Sequence, residues 1–424
     1  MKKGYTKLST IVDYCTKKVK SQDYLKSSRQ RPQDFTRERK MPFEKLILFM
    51  LNMVKGSTQN CLDHYYELIG RSDVHMTQQA FSEARQKIKW EAFQDLFQSN
   101  VGLIYNGYNE TWHGYRVTAI DGSKMQLPDD PILRNYYGTT GKGDTAVTGQ
   151  ASALYDIYNN FLIDVQIEPI STDERELALR HIDALRKMPS FGKECILFDR
   201  GYPSFELIET LEDLGIKYVM RVKKGFNKDI DRLRIGAGHS VILRKKDHRD
   251  IPVRVIKFLL PSFEMEMLVT NITDMSMGID DFKHLYFKRW PIETKYDEIK
   301  NKLEVENFSG RTVNAIKQDF YISMYMSNIV SVASREAQEK VSQVRENKDN
   351  IYEYHVNVNH AIGTFKDRFI EAMLLESARA RAKKIKRILY LLAEHVVPTR
   401  PDRTVPRNPS PRKAKFRHNR KSNC

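Results

Sequence analysis

The sequence predicts an α/β protein: a mixed sheet with covering helices, a β-rich insertion, and helical N- and C-terminal regions. Three observations predict it. Apolar residues recur at helical spacing through the first 110 residues and again from residue 313 onward. Between these regions the order is strand, hairpin, helix, strand, helix, strand, the pattern of a sheet covered by helices. Over residues 223–277 the alternation lapses, and three strand-like runs succeed one another across charged turns.

The first 110 residues read as a helical N-terminal DNA-binding region. Pro42 to Lys55 opens on proline and carries a dense apolar run, which predicts a buried helix. A second helix spans Thr58 to Ile69 and stops at Gly70. The next, Thr77 to Ile88, starts on an N-cap residue and is expected to expose Gln78, Gln79, Ser82, Arg85 and Lys87. Such side chains reach base edges and phosphates from a helix in the major groove. Two helices followed by a polar, basic one resemble a helix-turn-helix. An ordinary helical bundle with a solvated face fits the pattern equally well.

From Gly114 the period changes. Tyr115 to Ile120 is β-rich and ends at Asp121-Gly122-Ser123. Thr145 to Tyr158 and Phe161 to Ile167 are joined by Asn159-Asn160, a natural hairpin turn. Ser171-Thr172-Asp173-Glu174 offers a capping box for an amphipathic helix running to Met188. Glu194 to Phe198 is a buried-type strand ending at Asp199-Arg200-Gly201-Tyr202. A helix from Ser204 to Gly215 and a strand from Ile216 to Val222 close this first part of the core, residues 111–222.

The β-rich insertion, 223–277, holds runs at His239 to Leu243, Ile251 to Leu260 and Glu264 to Val269. Residues 278–312 return to helix, with two segments meeting at Pro291, which is tolerated in a helix's first turn. On a 3.6-residue period Glu293 and Lys300 share one face, with Tyr286 and Arg289 just upstream. A solvated ion pair would produce the same spacing. Residues 313–397 form a helical C-terminal region that could serve dimerisation, and 398–424 form a basic tail of disorder-prone composition.

Lysine and arginine number 70 against 54 acidic residues, a net charge of +16 with a pI near 9.4. That excess suits a polyanionic partner, of which nucleic acid is the commonest. Cys15, Cys61, Cys195 and Cys424 make no C-x-x-C pair, which predicts reduced thiols in a cytoplasmic protein. The basic N-terminus has no apolar signal region, and no run approaches membrane-spanning length, so a soluble, non-exported chain is expected. No Gly-x-x-x-x-Gly-Lys loop is present, so ATP is not implied.

Asp121 and Asp199 each end a predicted strand, and Glu293 lies on a later helix. Carboxylates with few other ligands suit Mg²⁺ or Mn²⁺. Two such ions, about 3.5–4 Å apart, can activate a water or a 3′-hydroxyl and stabilise the leaving oxygen of a phosphodiester. Taken singly each carboxylate is weak evidence, since an aspartate before glycine is more often a turn residue. Asp129, Asp130, Asp156, Asp164 and Asp173 fit the composition as well. The combination carries the argument.

Tyr286-x2-Arg289-x3-Glu293-x6-Lys300 resembles the Tyr-Arg-Glu-Lys signature of the insertion-sequence-four family of DDE transposases. Asp121 in AIDGS and Asp199 in LFDRGY resemble that family's first and second aspartates. The resemblance implies a ribonuclease-H-like core, with Asp121, Asp199 and Glu293 catalytic and holding two Mg²⁺ ions, for which Mn²⁺ substitutes. It implies that Tyr286, Arg289 and Lys300 contact transposon-end phosphates; Arg200 and Tyr202, in the second motif, are assigned to DNA as well. It further implies a bacterial cytoplasmic protein, associated with the nucleoid through DNA. Such a protein acts as a homodimer on terminal inverted repeats and target DNA, often through hairpin ends. A transposase-derived DNA-binding regulator and a structure-specific nuclease without strand transfer are the rival readings.

Overall fold

The computed structural model describes residues 6–399, apart from 38, 53, 54, 142, 144, 237, 261 and 346–350. Two compact units emerge. One comprises 108–124 and 150–297; the other comprises 1–107, 125–149 and 298–424.

The first unit is built on a sheet. Its strands are β1 (Arg116–Gln126), β2 (Ala146–Asp156), β3 (Phe161–Pro169), β4 (Glu194–Phe198), β5 (Lys217–Arg221), β6 (Gly238–Leu243), β7 (Ile251–Leu259) and β8 (Met265–Thr270). The last residues of β1 and the first of β2 count with the other unit. After a two-residue strand at Thr139–Thr140 the order is β2-β1-β4-β5-β8-β7-β6, and β3 pairs with β2. β1 pairs parallel with β4, and β4 with β5. All five residues of β4 are buried, as expected of a parallel strand covered on both faces.

Helix α1 (Glu174–Arg186) links β3 to β4, and α2 (Phe205–Asp213) links β4 to β5. Ser204 caps α2 by accepting the Leu207 amide at 3.2 Å. The cap of α1 differs from the sequence expectation. Asp173 is the N-cap, its carboxylate accepting the Arg175 amide at 2.8 Å, so Glu174 is the first helical residue and takes no part in a capping box. The β-rich segment extends the sheet instead of forming a body of its own: β8 returns to pair antiparallel with β5, with Val219 opposite Thr270. That pairing covers the edge β5 would otherwise present. Helices α3 (Ile279–Phe287) and α4 (Pro291–Asp297) come next, and Pro291 sits at the start of α4, where its missing N–H costs nothing.

The second unit is helical. Its longest element, Val313–Arg345, is buried on every face from Ala315 to Val330, as befits a helix surrounded by others. The stretch read as a recognition helix forms at Gln78–Arg85. Arg85, expected outside, is buried: Asp319 holds it at 2.7 Å, Gln318 at 2.9 Å and Ser309 at 2.6 Å. The helical period does place it on the covered face, beside Phe81. Pro398 and Thr399, assigned to the tail, belong to a strand, Val396–Thr399, paired with Glu353–Val356. The rest of the tail lies outside the described residues. Among the described residues no helix is long and apolar enough to cross a membrane.

Burial works against the Asp319 carboxylate, yet Arg85, Lys55 and the Ser309 amide hold its pKa below the ordinary value. Stability from the pair is therefore present above the unfolded carboxylate pKa and lost as pH falls through the folded one. Asp319→Ala should cost about 3–5 kcal/mol, because it strands a buried guanidinium. Urea denaturation at neutral pH checks this, and a loss under about 1 kcal/mol would contradict it.

Candidate active site

The site begins with register. Ile120 on β1 pairs with Phe198 on β4 in a parallel ladder, so the next residues, Asp121 and Asp199, emerge side by side. Adjacent strands lie about 4.7–4.9 Å apart. Strand β1 runs on past Asp121 to Gln126, whereas β4 stops at Phe198. The first aspartate therefore lies within a strand, not at its end as the sequence suggested.

The third carboxylate arrives on α4. Arg289, in the short turn between α3 and α4, is buried, and its guanidinium spans two acids. Nη2 donates to Glu293 Oε1 at 2.9 Å, and Nη1 lies 3.7 Å from Asp121 Oδ2. On α3, the Tyr286 hydroxyl donates to Asp199 Oδ1 at 3.4 Å. The Tyr296 hydroxyl on α4 donates to the Asp121 carbonyl at 2.9 Å. Tyr286, Arg289, Glu293, Asp121 and Asp199 thus form one connected group.

Burial pushes the Asp121 carboxyl up to about 6; Arg289 and the Gly122 amide oppose the rise, and Glu293 and Asp199 add to it. Burial also works against the Arg289 charge, but Tyr286, Asp199, Asp121 and Glu293 together raise its pKa above the ordinary value. Tyr202 is buried, and its pKa is raised by burial first and by Asp121, Glu174 and Asp199 after it. The Tyr202 hydroxyl and Arg289 Nε have no hydrogen-bond partner.

Among the described residues, no group of three or more His, Cys, Asp and Glu side chains stands close enough to hold a metal ion. Three like charges repel, and the Arg289 guanidinium is the cation they gather around. The donor set still fits Mg²⁺ or Mn²⁺, since all three acids are hard oxygen donors and the Tyr202 hydroxyl beside them is unpartnered.

The other expected residues divide between the carboxylates and positions away from them. Arg200 is exposed on the loop after β4. Tyr286, Arg289 and Tyr202, expected on DNA, are turned into the protein beside the carboxylates. Lys300 falls in a π-helical turn, Glu298–Lys302, which belongs to the other unit. That turn breaks the 3.6-residue period on which Glu293 and Lys300 share a face. In the sequence Tyr296 is legible only as apolar cover and Glu174 only as a capping partner, and nothing singles out Gln150 or Arg175. No motif marks them; an acidic residue just after a hairpin, opening the next helix, is the one available signal.

The fold and the site together define an α/β protein with three carboxylates, Asp121, Asp199 and Glu293, gathered beside a buried arginine. The family model described as the transposase DDE domain matches residues 112–329, just over half of the chain. The chain belongs to that family. It is similar to the putative transposase InsZ of Escherichia coli K12, 26% identical over 184 residues, which are 41% of this chain and 59% of the relative. It is also similar to the transposase InsG for insertion sequence element IS4 of the same strain, 21% identical over 320 residues, 69% of this chain and 70% of the relative. The match thus spans less than two-thirds of the first relative's length. A solved piggyBac transposase synaptic complex with hairpin DNA aligns at a TM-score of 0.47 and 11% identity, covering 89% of this chain and 85% of that one.

In Arg289→Met the Asp121 carboxyl loses its nearest cation and should titrate above about 6. Carboxyl carbon-13 NMR on the folded variant measures it, and an unmoved titration would remove Arg289 from the electrostatics of the site.

Proposed function

We propose that the protein is the transposase of an insertion sequence, cutting DNA at transposon ends and joining the freed 3′-hydroxyls to a target. The observation that carries this reading is the emergence of Asp121 and Asp199 side by side from paired parallel strands, with Glu293 tied to Asp121 through Arg289. Family membership and the basic charge support it.

In this reading Asp121, Asp199 and Glu293 are the catalytic acids, and they would hold two Mg²⁺ ions, or Mn²⁺ in their place. Divalent ions held there would activate the attacking water or 3′-hydroxyl and stabilise the leaving oxygen. Tyr286 orients Asp199 through its hydroxyl. Arg289 bridges Asp121 and Glu293, and its guanidinium is suited to a phosphate once those acids have another partner. Arg200, exposed beside Asp199, and Lys300 are assigned to the DNA backbone, and Tyr202 to the wall of the site. Hairpin ends, a homodimer holding two ends, an N-terminal region that recognises them and a bacterial cytoplasmic setting complete the proposal. The helical C-terminal region is assigned to dimerisation.

Purified protein and DNA carrying the ends that flank its own gene test this with Mg²⁺, Mn²⁺ or EDTA. Wild type should nick the ends only with metal. Asp121→Ala, Asp199→Ala and Glu293→Ala should each lose at least about 10³-fold in rate, since the metals supply several kcal/mol of charge stabilisation. End binding should stay within a few-fold. Cleavage without joining would favour a nuclease, and tight binding with no cleavage in any metal a regulator.

A further inference from the structure

Helix α1 touches both aspartate segments, the strand around Asp121 and the loop after Asp199. A Cβ added at Gly122, the residue after Asp121, would come 2.8 Å from Glu174 Oε1 and 2.8 Å from Gln150 Nε2. A Cβ at Gly201, two residues after Asp199, would lie 3.9 Å from Glu174 Oε2. One carboxylate thus lies against the backbone of both segments, and Gln150 Nε2 holds it by donating to Oε1 at 3.0 Å. The neighbouring Arg175 donates to the Tyr202 carbonyl at 3.2 Å and to the Gly201 carbonyl at 3.3 Å. Two turns along, His181 reaches Asp121 from the buried side. Its Nε2 is 3.0 Å from Ser152 Oγ, whose hydroxyl donates to the Asp121 carbonyl at 3.4 Å. Asp164 Oδ2 fixes the ring, 2.7 Å from Nδ1.

We propose that α1 is the positioning element of the site, with Glu174 the positioning residue that sets the spacing between the Asp121 strand and the Asp199 loop. Because Asp173 caps the helix, the Glu174 side chain is available for this. Carboxylates that share metal ions must be held within about 0.5 Å of the working geometry, and residues packed behind the ligands do that holding. The ends of the Glu174 and Gln150 side chains occupy the space that a side chain at Gly122 would enter, so a larger residue there would have to displace them. The inference rests on the transposase reading for its cleavage arm alone.

The test compares full-length wild type with Glu174→Ala, Glu174→Gln and Gly122→Ala. Three quantities are read: Mn²⁺ affinity by calorimetry, end cleavage at saturating metal, and end binding. In Glu174→Ala, Mn²⁺ affinity and cleavage should each fall about 10–100-fold, with end binding and melting temperature unchanged. Gly122→Ala should move the same two quantities. Glu174→Gln, which keeps the reach and the bond to Gln150, should recover most of both. Overturning results are alanine values within about twofold of wild type, or a glutamine variant as poor as alanine, which would make Glu174 a ligand. A wild type that bound Mn²⁺ but cut no DNA would strike down the transposase reading alone, and the Mn²⁺ arm would still decide on Glu174. A wild type that bound no Mn²⁺ would overturn both.

Discussion

The site depends on the parallel register of β1 against β4. In a strand, successive side chains alternate faces, so a slip of one residue would carry Asp121 to the opposite side of the sheet. The register is pinned at its far end. Arg116 and Glu194 are paired residues in the ladder, and their side chains form a buried ion pair, with Arg116 Nε donating to Glu194 Oε2 at 2.8 Å. Buried ion pairs add little net stability, but an unpaired partner in the wrong register would be costly. This one therefore selects among registers more than it stabilises any of them. Five residues on from Arg116 and Glu194, the two aspartates emerge opposite each other.

Bringing the acids together creates an electrostatic problem that the helices after the sheet answer. Arg289 is almost wholly covered, and burial of its charge is sustained because Asp121 and Glu293 lie on either side of it. The break between α3 and α4 makes this possible. A proline cannot continue the hydrogen-bond ladder of a preceding helix, so a new helix can start from it in a new direction. Here Pro291 restarts the chain so that Arg289 and Glu293, four apart, face each other. On the α3 side of the break, Tyr286 is directed toward Asp199.

Much of this is legible in the sequence, for physical reasons. Buried parallel strands such as Glu194 to Phe198 read as continuous apolar runs, and Pro291 marks a helix start. The acidic residues stand out because carboxylates just past apolar runs are the hard oxygen donors that divalent ions prefer. Inferences that depend on an exact phase fail. The charge of Arg85 suggests exposure, yet its position one turn from Phe81 puts it on the packed face. Glu174 reads as a capping partner because Ser171 and Asp173 offer equivalent caps two residues apart, and only the fold chooses between them. A regular period carries Lys300 onto the face of Glu293, and the π turn does not keep that period. Contacts across the sheet, such as Gln150 to Glu174, leave no periodic trace.

The three carboxylates are not equivalent, and that difference comes from what carries them. Asp121 stands on β1 and Asp199 just past the end of neighbouring β4, and their ladder, ion pair and hydrogen bonds tie the backbone on several sides. Glu293 stands on a helix of seven residues, between a turn and a π-helical turn, and its side chain is 40% exposed against 22% for Asp121. Its strongest tie is to Arg289, a residue four positions away on the same segment. Rigid elements hold a ligand in place, whereas a short helix running into a π turn can yield. The arrangement therefore has two acids set by the strand ladder and one carried on a short helix, with Arg289 as the counter-charge that Glu293 shares with Asp121.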